Sequence, residues 1–69
     1  MPLNYAAEGE TLIIKRIGGL PDLKQHLADL GFVVGGSVTV ISKVAGNVIV
    51  NVKDTRVAVS QEMAQKIIV

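Results

Sequence analysis

The sequence predicts a mainly β fold, a small and partly open barrel of about five strands with one inserted α-helix and a short C-terminal helical turn. Three observations predict it. Val38, Val40, Val44, Val48, Val50 and Val52 all fall on even positions, the period-two pattern of strands that share one buried face. The run Leu27-Ala28-Asp29-Leu30-Gly31-Phe32 ends a helix, and a new strand opens at Val38. The 69 residues include no cysteine, so neither a disulfide nor a thiolate metal site can hold so small a chain, and aliphatic packing must. Hydrophobic residues make up 49% of the sequence, enough to build that core. The stability expected of one domain of this length, residues 1–69, is roughly 3–10 kcal/mol.

Each element has a local cause. Glu8-Gly9-Glu10 reads as a turn, and Thr11 to Ile17 as the first strand. Leu12, Ile13, Ile14 and Ile17 do not alternate cleanly, so this strand is expected to be buried on both faces or bulged. Gly18-Gly19 breaks it. Pro21 then opens a helix, because its missing N–H needs no partner in the first turn, and Asp22 suits the positive end of the helix dipole. Leu20, Leu23, Leu27 and Leu30 form one helical stripe, Gly31 is the left-handed stop, and Phe32 folds back on the last turn.

Parity sets the register of the next three strands. If the even valines share the core face, an odd loop is required, and Ala45-Gly46-Asn47 supplies it, pairing Val44 with Val48 and Val40 with Val52. Val57 and Val59 are odd, so the following hairpin needs an even loop. Asp54-Thr55 would pair Val52 with Val57 and Val50 with Val59, and would set Lys53 opposite Arg56. Ser60 is placed to cap a helical turn over 61–65, and Ile67-Ile68-Val69 reads as a last short strand.

Charge and motifs narrow the function. Seven basic and six acidic residues are interspersed, giving a net charge of +1. Neither a phosphate-binding stripe nor a row of stacking rings is present, so no nucleic-acid partner is expected. The N-terminus lacks the charged start and apolar core of a signal peptide, and no apolar run approaches the roughly 18 residues of a membrane span. A soluble cytoplasmic protein is expected. Gly18-Gly19 and Gly35-Gly36 lack the Lys-Ser/Thr ending of a nucleotide loop. Ser42 and Ser60 have no evident histidine partner, and no catalytic constellation is legible. Function is therefore expected from a surface.

Several residues are candidates for that surface. Asp22, His26 and Asp29 share a helix face and could hold a divalent metal such as Fe2+ or Zn2+, although a protein site wants three or four ligands and a homodimer would have to complete it. The bland alternative is an exposed histidine between two carboxylates. Val33 and Val34, beside Phe32, either cover a barrel end or dock on a partner. Ile41 and Ile49 point away from the valine face in the expected register, and either pack under the helix or the C-terminal strand or form an exposed patch. Lys43, Lys53 and Arg56 either line one edge or stand as scattered solvated charges. Arg16 or Arg56 could be offered to a partner's active site.

The whole pattern resembles the ferrous iron transport protein A family, the FeoA-like domains. Gly9-Glu10 with Ile14 and Ile17, then Leu27, Leu30-Gly31-Phe32, Gly35 and Val38, and finally Val57-Ala58-Val59, Ala64, Ile67 and Val69 carry the resemblance over nearly the whole chain. Val34 departs from the usual proline before the glycine, Asn47 stands near another common proline, and Asp54 stands near a common turn glycine. The resemblance implies an SH3-like barrel with an inserted helix. It also implies a cytosolic accessory of Fe(II) uptake, a non-enzymatic partner of a membrane ferrous iron permease that carries a cytosolic GTPase domain. The same domain type ends some metal-dependent repressors, and 69 residues leave no room for their winged helix. The alternatives are a small divalent-metal-binding protein and a nucleic-acid-binding small barrel.

Overall fold

The computed structural model describes residues Met1–Val69. A 3₁₀ turn (Leu3–Tyr5) precedes β1 (Thr11–Ile13), β2 (Arg16–Ile17), α1 (Pro21–Leu30), β3 (Ser37–Val44), β4 (Asn47–Val52), β5 (Thr55–Ser60), α2 (Gln61–Gln65) and β6 (Ile67–Ile68). A four-stranded antiparallel sheet runs β1-β3-β4-β5, and β2 pairs with β6 in a second, two-stranded sheet. The barrel is thus partly open, with the mainly β composition, the inserted helix and the short C-terminal helical turn that the sequence predicts.

The first strand differs from expectation because it serves both sheets. Ile14 still bonds toward β3: its N–H donates to the Gly36 carbonyl at 2.9 Å, and its carbonyl accepts from Gly35 N–H at 2.8 Å. One residue later the partner changes, and Lys15 N–H donates to Ile68 O at 2.7 Å. The strand divides into β1 and β2 at this corner. The broken alternation follows: Leu12 faces the first sheet's interior, Ile14 is buried at the corner, Ile17 faces the second sheet, and Ile13 points outward.

The helix ends as its sequence requires. Gly31 adopts φ +109, and its N–H reaches Ala28 O while Phe32 N–H reaches Leu27 O, both at 3.0 Å. This pair of bonds is the Schellman arrangement, and Leu27 and Phe32 are both fully buried beside it. The leucine stripe is shorter than expected. Leu23 and Leu30 are half-buried, but Leu20 precedes the first helical turn and is 77% exposed.

Both hairpins turn in two residues. Ala45 and Gly46 have φ of 50 and 83, and Lys53 and Asp54 have φ of 50 and 60. Paired positive values are those of the mirror-image turn whose twist matches the flanking strands. The first turn pairs Val44 with Asn47, which alone would reverse the faces of every valine before it. A bulge at Ile41 restores them: Ser42 pairs with Ile49, yet Val40 pairs with Val50 and Val38 with Val52. The extra residue expected in the loop sits in the strand instead. Val44 is therefore outside the core, 54% exposed, and Lys43 takes the inward position opposite Val48.

The second register is also corrected, by two residues. Val50 pairs with Val57, Val48 with Val59, and Asn51 rather than Lys53 with Arg56. The expected and observed pairings bury the same face, so parity could not choose between them. The turn chose, because β-branched Thr55 resists a positive φ that Asp54 tolerates. At the end of β5, Ser60 Oγ accepts from Met63 N–H at 3.2 Å and caps α2 as expected.

The core contains no polar or charged residue. Its largest members are Phe32, Leu3, Ile14, Leu27 and Ile67, ringed by the valines. Leu3 and Ala6 enter from the N-terminal turn, an element with no clear sequence signal. Pro2 bridges to Ile68, and Val69 N–H donates to Met1 O at 2.8 Å, so the two chain ends close against each other.

Two stability changes follow. Phe32→Ala should cost about 3–5 kcal/mol, a large share of the expected total, and lower the urea midpoint steeply at 25 °C. Lys53→Asn, which suits the left-handed turn position better, should raise the urea midpoint by an amount worth about 0.5 kcal/mol.

Candidate functional site

The outer face of the four-stranded sheet collects the side chains that the core rejects. Its rows follow from the pairing. Ile13 lies opposite Ser37 at one end. Thr11, Thr39, Asn51 and Arg56 form the next row, in which the two threonine hydroxyls hydrogen-bond at 2.9 Å. Ser42, Ile49 and Ala58 follow, with the bulged Ile41 beside them, and Val44, Asn47 and Ser60 end the face. Ile41 is 36% exposed and Ile49 half-buried. They lie on this open face, not under the helix or the C-terminal strand.

The helix-to-barrel loop supplies a second apolar group. Val34 is 64% exposed and Val33 37%, while Phe32 before them is buried in the core. The loop is fixed by its backbone. Gly36 N–H donates to Val33 O at 3.0 Å, and Gly35, at φ +88, is held by Ile14. A Cβ on Gly36 would stand 3.1 Å from Val33 O, so a side chain there would push this turn open by a few tenths of an ångström. Because Ile14 holds this loop, Ile13 lies at the same end of the sheet as Val33 and Val34.

The five expected surface residues therefore fall into two apolar groups with a polar row between them. Val33 and Val34 stand with Ile13, and Ile41 stands with Ile49. The row Thr11–Thr39–Asn51–Arg56 separates the groups, and Arg56 is its one charge. Sequence reasoning missed Ile13 and Val44. The signal for Ile13 was available: once Leu12 faces the interior, its neighbour cannot. The signal for Val44 was not, because its outward position depends on where the bulge falls.

The metal candidates stand apart from this surface. Asp22, His26 and Asp29 are exposed on α1. Asp29 Oδ1 accepts from Gln25 Nε2 at 2.9 Å, an ordinary pair one helical turn apart. No three acidic, histidine or cysteine groups converge into a metal-holding cluster within one chain. The basic residues do not gather either. Lys53 lies in the β4–β5 turn and Arg56 just after it, whereas Lys43 lies at the opposite end of the sheet beside the N-terminal turn. Arg16 is exposed on the second sheet, opposite Ile68. No helix is long and apolar enough to cross a membrane.

Comparison with known proteins agrees with this architecture. The FeoA domain profile matches residues 1–69. A protein of Methanocaldococcus jannaschii named "Putative Fe(2+) transport protein A" is 35% identical over 68 residues, covering 99% of this chain and 83% of that one. Among solved structures, an iron uptake regulatory protein (FeoA) superposes with a TM-score of 0.88 at 26% identity, over 96% of this chain and 88% of the other. The SH3-domain FeoA of Stenotrophomonas maltophilia, solved in complex with zinc, gives a TM-score of 0.87 at 23% identity, over 99% and 87% of the two chains.

Proposed function

The chain belongs to the FeoA family, and on that premise we propose that it is a non-enzymatic cytoplasmic accessory of Fe(II) uptake that docks on the cytosolic GTPase domain of a membrane ferrous iron permease. One observation supports the docking role above the others. The core is complete and wholly apolar, yet Ile13, Val33, Val34 and Ile41 remain on the surface. Exposed apolar groups rimmed by polar residues are the usual composition of an interface. Val33, Val34, Ile41 and Ile49 supply the apolar contacts, and Arg56 between them supplies a charge that a partner's carboxylate or phosphate would meet. The loop bearing Val33 and Val34 is already fixed by Gly35 and Gly36, so binding would cost little ordering entropy. For such docking to regulate transport, the chain must bind two conformations of the GTPase domain with different affinity.

A second reading has its own support. Asp22, His26 and Asp29 are three exposed groups on one helix face, and a structural relative is a zinc complex. Two copies of the chain, meeting through this face, could hold a divalent ion such as Fe2+ or Zn2+ between them. The iron would then be cargo or a bridge, not a catalyst.

Amide-resolved NMR titration with the soluble GTPase domain of the permease separates the two. Val34→Asp and Ile41→Asp should each weaken the complex by at least about tenfold, with folding stability changed by no more than about 0.5 kcal/mol. Absence of any shift at high GTPase-domain concentration sinks the docking reading. His26→Ala should leave docking intact. The same variant should remove any Zn2+-induced dimer seen by sedimentation if the helix face is a metal bridge.

A further inference from the structure

The one pocket of the molecule lies away from the surface just described. It is formed by Asn4, Lys43, Gly46, Asn47, Val48 and Gln61, where the N-terminal turn, the β3–β4 hairpin and the start of α2 meet. Its volume is about 180 Å³. That is far below the roughly 300–1,000 Å³ of nucleotide or cofactor sites, and near the roughly 150 Å³ that accommodates a single benzene ring. It admits one side chain.

The bulge at Ile41 determines what this pocket offers. A regular strand with the expected three-residue loop would place Val44 on the inner face here. The bulge places Lys43 there instead, opposite Val48 at the barrel mouth. Bulges are repeatedly used to re-aim a side chain at a binding site, and local rules fail most often where function requires it. Lys43 is held at both ends: its N–H donates to Glu8 Oε2 and its Nζ donates to the Asn4 backbone carbonyl, each at 3.0 Å. A neutral carbonyl takes one of the three ammonium protons, leaving the cation two donors for a ligand. Beside it Asn4 carries a buried side-chain oxygen with no hydrogen-bond partner. Asn4 itself is only partly buried, outside the core, and such an orphaned oxygen calls for an explanation. The remaining polar residues of the wall are Asn47 and Gln61.

We propose that this pocket receives one carboxylate side chain, Asp or Glu, from an extended segment of a partner protein. The carboxylate meets the Lys43 ammonium as a charge-assisted hydrogen bond. The orphaned Asn4 oxygen accepts the backbone N–H of the incoming residue, a donor that a free carboxylate lacks. The proposal does not depend on the permease reading, because the isolated chain and a short peptide suffice to test it.

The test is an amide-resolved titration of the full ¹⁵N-labelled chain with three probes: acetyl-Ala-Glu-Ala-amide, its Gln counterpart, and acetate. The glutamate peptide should produce saturable shifts at Asn4, Gly46, Asn47 and Gln61. The Gln peptide and acetate should bind at least about tenfold more weakly. Lys43→Gln should abolish the shifts. So should Gln61→Glu, which sets a like charge in the pocket at a helix N-terminus where Glu favours folding. Equal binding of the Gln peptide overturns the charge requirement. Equal binding of acetate makes the site a small-anion trap instead of a docking pocket. Shifts scattered over Lys15, Lys24 and Lys66, or none at all, overturn the site itself.

Discussion

Side chains on a strand alternate with a period of two, and this chain has to bring valines from three strands onto one interior. Every irregularity in the sheet answers to that constraint. A two-residue turn at Ala45-Gly46 would reverse the faces of Val38 and Val40, so one extra residue must be absorbed somewhere in β3. It is absorbed at Ile41. The single bulge fixes the inward set, exposes Val44, and swings Lys43 to the barrel mouth. The second turn, at Lys53-Asp54, preserves parity and needs no correction.

A core built this way is fully apolar, and its completeness governs the rest of the molecule. No fully buried polar or charged residue contributes to specificity. Uniqueness comes from shape, through Phe32 and Leu27 pinned together by the Schellman end of α1 and through Ile14 at the corner where one strand passes between two sheets. The helix itself buries only Leu27 fully, with Leu23 and Leu30 partly covered. Most of its surface is polar and solvated, so it closes one side of the barrel without forming a second core. In a domain this small, burial is confined to one interior, and apolar residues beyond that interior's capacity stay outside.

Those outside residues form the surface on which the proposed docking rests. The two groups flanking the Thr11–Thr39–Asn51–Arg56 row, and the cationic pocket at the other end of β3, are separate surfaces on one rigid frame. Neither contains a set of groups arranged for bond-making. Both suit recognition of another chain, which is consistent with a small domain of a family associated with Fe(II) transport.

The sequence by itself determined the elements whose causes are local. Pro21 and Gly31 bound the helix, Ser60 caps α2, and the valines other than Val44 identify the buried faces of β3, β4 and β5. These are effects of neighbouring residues on backbone dihedrals and of strict alternation, and both are legible in one dimension. Only the tertiary structure decided where parity is corrected, because a loop residue and a bulge residue shift the register identically and differ only in twist. It decided that Thr11–Ile17 divides between two sheets, since that depends on Gly35, Gly36 and Ile68 arriving from distant parts of the chain. It also decided that Lys43, Lys53 and Arg56 stand apart, and that Ile13 and Val44 join the surface. Which residues become neighbours across strands is settled by register, and register is a property of the assembled sheet.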